Sequence, residues 1–162
     1  MLILAMAVWS GCATGNNEFA LDPVGPSQGQ PSVAKATNGT LLVYSAFKRN
    51  ADFGSRDPNS PEYSDYKIFT ADGKLLKKVH NNSGTILQQA VPVGLSPGKY
   101  HVMAHANGYA RYVVIPIVIL AGETTILHLE GGGFWPDESV FNQTNAVRLP
   151  DGLVIGWKAP PL

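Results

Sequence analysis

The stretch LSPGKYHVMAHANGYARYVVIPIVILAGETTILHLE, Leu95–Glu130, decides the fold. Lys99–Ala106 alternates Tyr100, Val102 and Ala104 with His101, Met103 and His105, the period of an extended chain with one apolar face. Asn107-Gly108 turns the chain, and Arg111–Leu120 is its most apolar segment. Ala121-Gly122 turns it again, and Glu123–Glu130 sets Thr125, Leu127 and Leu129 on one face. Ser96-Pro97-Gly98 supplies the turn that opens the series.

The same grammar extends upstream. Thr40–Lys48 sets Leu42, Tyr44 and Ala46 against Leu41, Val43 and Phe47 and predicts a largely buried strand. Asn50–Ser64 is a polar loop. Tyr66–Thr70 and Lys74–His80 predict two strands around Ala71-Asp72-Gly73, where Asp-Gly favours a hairpin. Asn81–Gly84 is a turn, and Thr85–Leu95 holds a further strand ending at Leu95. Seven strands with turn signals every 8–12 residues predict an all-β, antiparallel Greek-key sandwich of about 90–100 residues. Composition agrees: only 15% of residues are charged, while Gly (17) and Pro (12) are frequent, which suits loops and strands over a helical bundle. No helix is expected outside the N-terminal signal.

Gly131-Gly132-Gly133 breaks the pattern after the last strand. Ala146–Leu149, Pro150-Asp151-Gly152 and Leu153–Trp157 then predict a small hairpin. Arg111–Leu120 is apolar on both faces, with Val113, Ile115, Ile117 and Ile119 opposite Tyr112, Val114 and Val118. A sandwich strand buries one face in the core, so the other needs a cover. Phe134, Trp135, Val154, Ile155 and Trp157 are the expected cover, which makes residues 132–162 a tail packed on the sandwich of residues 39–131.

Leu95-Ser96-Pro97-Gly98-Lys99-Tyr100-His101-Val102, Ala106-Asn107-Gly108-Tyr109, the run Val113–Ile119, Ala121-Gly122-Glu123-Thr124-Thr125 and Leu127-His128-Leu129 together resemble the carboxypeptidase regulatory-like domain. That family belongs to the transthyretin (prealbumin)-like and carbohydrate-binding-like sandwiches. The resemblance spans about Thr40–Gly131 and implies an accessory module with structural or binding roles, in which Tyr100 and Tyr109 fill the core between the sheets. Two catalytic or self-crosslinking relatives of the fold are not matched. The hydroxyisourate hydrolases end in Tyr-Arg-Gly-Ser, whereas this chain ends Lys158-Ala159-Pro160-Pro161-Leu162. Adhesin domains that form Lys–Asn isopeptide bonds carry a Glu where this chain has Ala104.

The N-terminus carries the second signal. Met1–Val8 is an uncharged apolar run, too short to span a bilayer, which needs about 20 residues, but long enough for the core of a signal peptide. Ser10-Gly11-Cys12 follows, and the next residues are polar. This arrangement resembles a bacterial lipoprotein signal, which implies that residues 1–11 are removed and the Cys12 thiol receives a diacylglycerol. Trp9 stands where that family has an aliphatic residue, and no Lys or Arg precedes the run. The residues themselves also admit an ordinary signal peptide or a buried strand with an incidental cysteine. Residues 12–38, rich in Gly, Pro, Ser, Gln and Asn, read as a flexible tether.

Candidate chemistry is sparse. With one cysteine the chain can form neither an internal disulfide nor a CxxC zinc site. Twelve basic and twelve acidic residues cancel, so nothing attracts a phosphate backbone in general and nucleic acid is not an expected partner. His101, Met103 and His105 share a strand face, with His128 a further copper-type donor, but residues four apart on a strand lie about 13 Å apart. A solvent-facing row is the plainer reading. Asp52, Asp57, Asn59, Glu62 and Asp65 share one loop without the spacing of a calcium loop. Phe53, Tyr63 and Tyr66 there form either a stacking platform for sugars or packing on the sandwich, the second being favoured by their apolar bulk. Asn38-Gly39-Thr40, Asn81-Asn82-Ser83 and Asn142-Gln143-Thr144 match the glycosylation triplet, which a bacterial lipoprotein leaves bare. No nucleophile elbow or paired-carboxylate motif is present, so no catalytic residue and no cofactor are expected. The expectation is a non-catalytic envelope lipoprotein, held by lipid at the outer membrane, facing the periplasm or the surface. Its partners would be an envelope protein or, alternatively, a polysaccharide bound by a carbohydrate-binding module.

Overall fold

The computed structural model describes residues 21–26, 37–47, 63–81, 89–131 and 144–158, and every regular element among them is a strand. In chain order these are β1 (Gly39–Tyr44), β2 (Tyr66–Thr70), β3 (Leu75–Val79), β4 (Val93–Leu95), β5 (Gly98–His105), β6 (Tyr112–Ile119), β7 (Thr124–His128), β8 (Ala146–Arg148) and β9 (Val154–Lys158). They form a five-stranded sheet, β4-β1-β7-β9-β8, and a four-stranded sheet, β3-β2-β5-β6. All pairings are antiparallel except β1 with β7, which is parallel with Leu42 opposite Ile126.

Alternation explains the two layers. β6 buries Val113, Ile115, Ile117 and Ile119 and leaves the residues between them partly exposed. Leu41 and Val43 from β1 and Leu127 from β7 meet them from the other sheet in one core cluster. β1, β6 and β7 thus each contribute one face to a shared interior. The β2–β3 hairpin closes on Gly73 at φ 84°, a conformation only glycine adopts without strain. Tyr100 and Tyr109, expected inside the core, are half-buried and pack against it, with the Tyr100 hydroxyl donating to the Ser96 carbonyl at 2.9 Å.

Two segments depart from the sequence reading. The C-terminal hairpin does not lie over β6: β9 pairs with β7, so β8 and β9 extend the opposite sheet to five strands and bring the two sheets to nine strands together. Leaving the outer edge of β7 bare would strand its backbone donors and acceptors, and strand pairing satisfies them in a way a mere cover would not. Val147, Leu149 and Ile155 of the hairpin enter the common core. Phe134 and Trp135 lie outside the described residues. The second departure is residues 21–26, read as tether. Val24 forms a parallel bridge to Ile117, its N–H donating to the Pro116 carbonyl (2.8 Å) and its carbonyl accepting from the Val118 N–H (2.6 Å). Val24 is fully buried and Leu21 nearly so, both within the core cluster. This segment caps the edge of β6.

Candidate functional site

Three chain segments meet at one end of the sandwich: the residues after β1, those before β2, and the β5–β6 turn. Backbone pairing holds them. Phe47 bridges Tyr63, Ser64 N–H donates to the Ala46 carbonyl (2.8 Å), and Ala46 N–H donates to the His105 carbonyl (2.9 Å). Asn107 ties the turn to the far sheet, its N–H donating to the Leu129 carbonyl (2.7 Å) and its side-chain amide to the Glu130 carbonyl (2.9 Å). Between these segments lies an open groove of about 480 Å³, edged by Phe47, Ser64, His105, Asn107 and Tyr109. That volume falls in the range of small-ligand sites, about 300–1,000 Å³. Aromatic faces beside amide, hydroxyl and imidazole groups equip it to hold a polar, ring-shaped molecule.

The groove is anchored from beneath by Asn81, which is fully buried. Its amide nitrogen donates to the Val43 carbonyl (2.8 Å) and to Ser45 Oγ (3.0 Å), and its oxygen accepts from the Val91 N–H (3.0 Å). Ser45 Oγ in turn donates to the Ser64 carbonyl at 2.6 Å. The Ser64 hydroxyl oxygen is buried and has no hydrogen-bond partner among the described residues.

A row of stacked rings runs from the groove across the five-stranded sheet. Phe47 stacks on Tyr63 (centroids 5.3 Å apart), Tyr63 meets Tyr44 edge-on (5.5 Å), Tyr44 stacks on His128 (4.5 Å), and His128 stacks on Trp157 (4.6 Å). Register builds the last three: Tyr44 is opposite His128 on β7, and His128 is opposite Trp157 on β9. His128 Nδ1 lies 2.7 Å from Glu130 Oε1, and both side chains are mostly buried. If Nδ1 carries the proton, it donates to the carboxylate and leaves Nε2 as an acceptor. Glu130 Oε2 is buried without a hydrogen-bond partner among the described residues. Burial, then the Glu130 charge, then Tyr44 push the Tyr63 hydroxyl up to about 12.

The residues singled out from the sequence fall apart in space. Tyr66 is 2% exposed and belongs to the core, and burial pushes its hydroxyl up. Tyr63 is 9% exposed, so its ring serves the stack rather than an open platform. Of the expected trio, neither tyrosine offers a free face of the kind a sugar stacks on, because the alternation of β2 turns Tyr66 inward and the Phe47 bridge covers Tyr63. Phe53, Cys12 and the acidic residues 52–62 lie outside the described residues. His101, Met103 and His105 lie on the outer side of the four-stranded sheet, His105 against Tyr112 at 3.8 Å, whereas His128 is on the other sheet. Among the described residues no group of three or more His, Cys, Asp or Glu converges on a metal position, and no helix is long and apolar enough to cross a membrane. Sequence reasoning named His128 only as a copper-type donor and Trp157 only as cover, and missed their stack with Tyr44 and the pairing with Glu130; only the spacing His128-Leu129-Glu130, which puts two ionisable side chains on one strand face, hinted at the site. Comparison of the chain with protein-family models, with curated proteins and with solved structures returned no match.

Proposed function

We propose that this is a non-catalytic, lipid-anchored cell-envelope protein that displays a carboxypeptidase regulatory-like, transthyretin-type Greek-key sandwich to a protein partner. The observation that carries the reading is Cys12, the chain's only cysteine, directly after Ser10-Gly11 at the end of an uncharged apolar run. A thiol at that one position has a chemical use that the same thiol elsewhere would lack. The division of strands into β4-β1-β7-β9-β8 and β3-β2-β5-β6, with one parallel pair joining the first and seventh strands, supports the transthyretin-type assignment. Acyl chains would supply attachment at about 0.8 kcal/mol per buried CH₂. Because Val24 is fixed on β6, the chain from Cys12 to Leu21 can reach no further than about 30 Å. The sandwich is then held close to the bilayer rather than at the end of a long leash.

Detergent phase partitioning of the wild type and of Cys12→Ser tests the reading. The wild type is expected in the detergent phase and the variant in the aqueous phase or uncleaved, with equal sandwich stability. A wild type that stays aqueous would overturn it.

A second reading, a carbohydrate-binding module, is favoured by the groove, where Phe47 and Tyr109 stand beside Asn107 and His105. A glycan array probed with the Cys12→Ser chain that shows no binding removes this second reading and leaves the first intact.

A further inference from the structure

The β2–β3 hairpin carries an exposed feature that display by a lipid anchor does not use. Residues 66–80 hold Lys67, Lys74, Lys77 and Lys78 against a single acid, Asp72, a formal +3 with His80 neutral, in a chain whose net charge is zero. Lys74-Leu75-Leu76-Lys77-Lys78 is exposed at every residue, although neighbours on a strand point to opposite faces. β3 is the outer strand of its sheet, and neither of its faces is covered along this stretch. Leu75 is 42% and Leu76 48% exposed, two adjacent members of the few large exposed apolar residues among those described. Apolar side chains are not normally left in pairs on an edge strand, whereas lysines are the usual protection there.

Among the described residues, the acids that face this edge lie at its ends. Asp72, at the turn, accepts from the Thr70 hydroxyl. Asp65, at the far end, accepts from the Asn81 N–H (3.3 Å) and lies 3.1 Å from His80 Nδ1. The middle of the edge is therefore a cationic frame around two leucines.

We propose that this edge is a second, protein-borne membrane contact that seats on an anionic lipid surface, the lysines pairing with headgroups and Leu75 and Leu76 entering the boundary of the acyl region. Charge complementarity selects that occupant. Pairing with a second copy, antiparallel and centred on Leu76, would set Lys74 of one chain against Lys78 of the other, an unfavourable cross-strand pair. A soluble polyanion would satisfy the lysines and leave the leucines in water. A membrane satisfies both groups, as in interfacial segments that combine Lys and Leu. The contact is independent of acylation; under the lipid-anchor reading it would fix which side of the sandwich faces the bilayer.

Vesicle flotation with the full-length Cys12→Ser chain removes any acyl contribution, and because the uncleaved chain keeps the apolar Met1–Val8 run, the difference between this parent and its edge variants isolates the edge. Binding is expected to phosphatidylcholine vesicles containing one quarter phosphatidylglycerol, with much weaker binding to pure phosphatidylcholine and release in 0.5 M salt. Replacing Lys74, Lys77 and Lys78 with Gln should weaken partitioning by about 100-fold, near five-fold per lysine. Leu75→Ser with Leu76→Ser should weaken it by about ten-fold with the salt dependence kept. All five side chains are replaced at exposed positions, and an unchanged denaturation midpoint confirms the fold. No binding of the parent chain to anionic vesicles overturns the proposal without recourse to any variant. Full vesicle binding by the leucine double variant also overturns it, marking the edge as an ionic site for polyanions in general.

Discussion

Replacing Asn81 with Ala should cost about 3–4 kcal/mol of folding stability. Asn81 is fully buried and its side chain makes three hydrogen bonds, to the Val43 carbonyl, Ser45 Oγ and the Val91 N–H. Each contributes about 1 kcal/mol net, and leaving a buried group such as the Val91 N–H without an acceptor adds about 1 kcal/mol or more. In a domain of this size the loss is a fall of about 10–15 °C in melting temperature. Asn81→Asp sharpens the test. It keeps an oxygen to accept from Val91 but turns a carboxylate oxygen toward the Val43 carbonyl, where an amide had donated. The buried anion is disfavoured, so the acid's folded-state pKa rises above its unfolded value. Stability relative to wild type should then be regained as pH falls from 7 to 4, when the protonated acid can donate to Val43 again. Urea denaturation at both pH values measures each effect. A loss under about 1 kcal/mol for the alanine variant, or an aspartate variant whose deficit ignores pH, would refute the reasoning that this amide holds Ser45, and through it Ser64 and the groove.

Other expectations follow from the same geometry. A Cβ on Gly156 would stand 2.2 Å from the His128 carbonyl oxygen and 2.7 Å from Leu129 Cδ2, so Gly156→Ala should cost about 2–3 kcal/mol by denaturation, because the backbone cannot yield. Val24→Ala removes two buried methyls and should cost about 2 kcal/mol, with faster hydrogen exchange at the Val118 amide, whose acceptor is Val24. Tyr63 has a hydroxyl pushed from 10.0 to about 12, and the neutral form is the one the fold favours. Stability should therefore be intact below pH 10 and fall as pH rises from 10 towards 12, with tyrosinate absorbance appearing alongside loss of structure; Tyr63→Phe should flatten that decline.

Much of the sandwich was legible because its strands obey local rules. Tyr66–Thr70 matches β2 residue for residue, and β5, β6 and β7 fall within one or two residues of the alternating runs that predict them. Gly73 and Gly152 sit at positive φ where Asp-Gly announces a turn. What escaped was non-local. Leu21 and Val24, set among Pro23, Gly25 and Pro26, have too few apolar neighbours to show a period, yet two backbone hydrogen bonds and the core hold them on β6. The β8–β9 hairpin is plain in Pro150-Asp151-Gly152, but which open edge it joins depends on pairing with β7, far away in sequence. The Tyr44–His128–Trp157 stack arises from register across three strands, one pair parallel, and no single window contains it. For Tyr63 and Tyr66 the sequence weighed a sugar platform against packing and favoured packing, and the two residues are 9% and 2% exposed.

The intact mass of the protein purified from bacterial membranes bears on the anchor at its chemical root. The expected species begins at Cys12, lacks Met1–Gly11 and carries the added mass of a diacylglycerol on the Cys12 thiol, whereas Cys12→Ser yields no lipidated species. A membrane-fraction protein that retains Met1–Gly11, or one cleaved elsewhere with an unmodified Cys12, would contradict lipid anchoring.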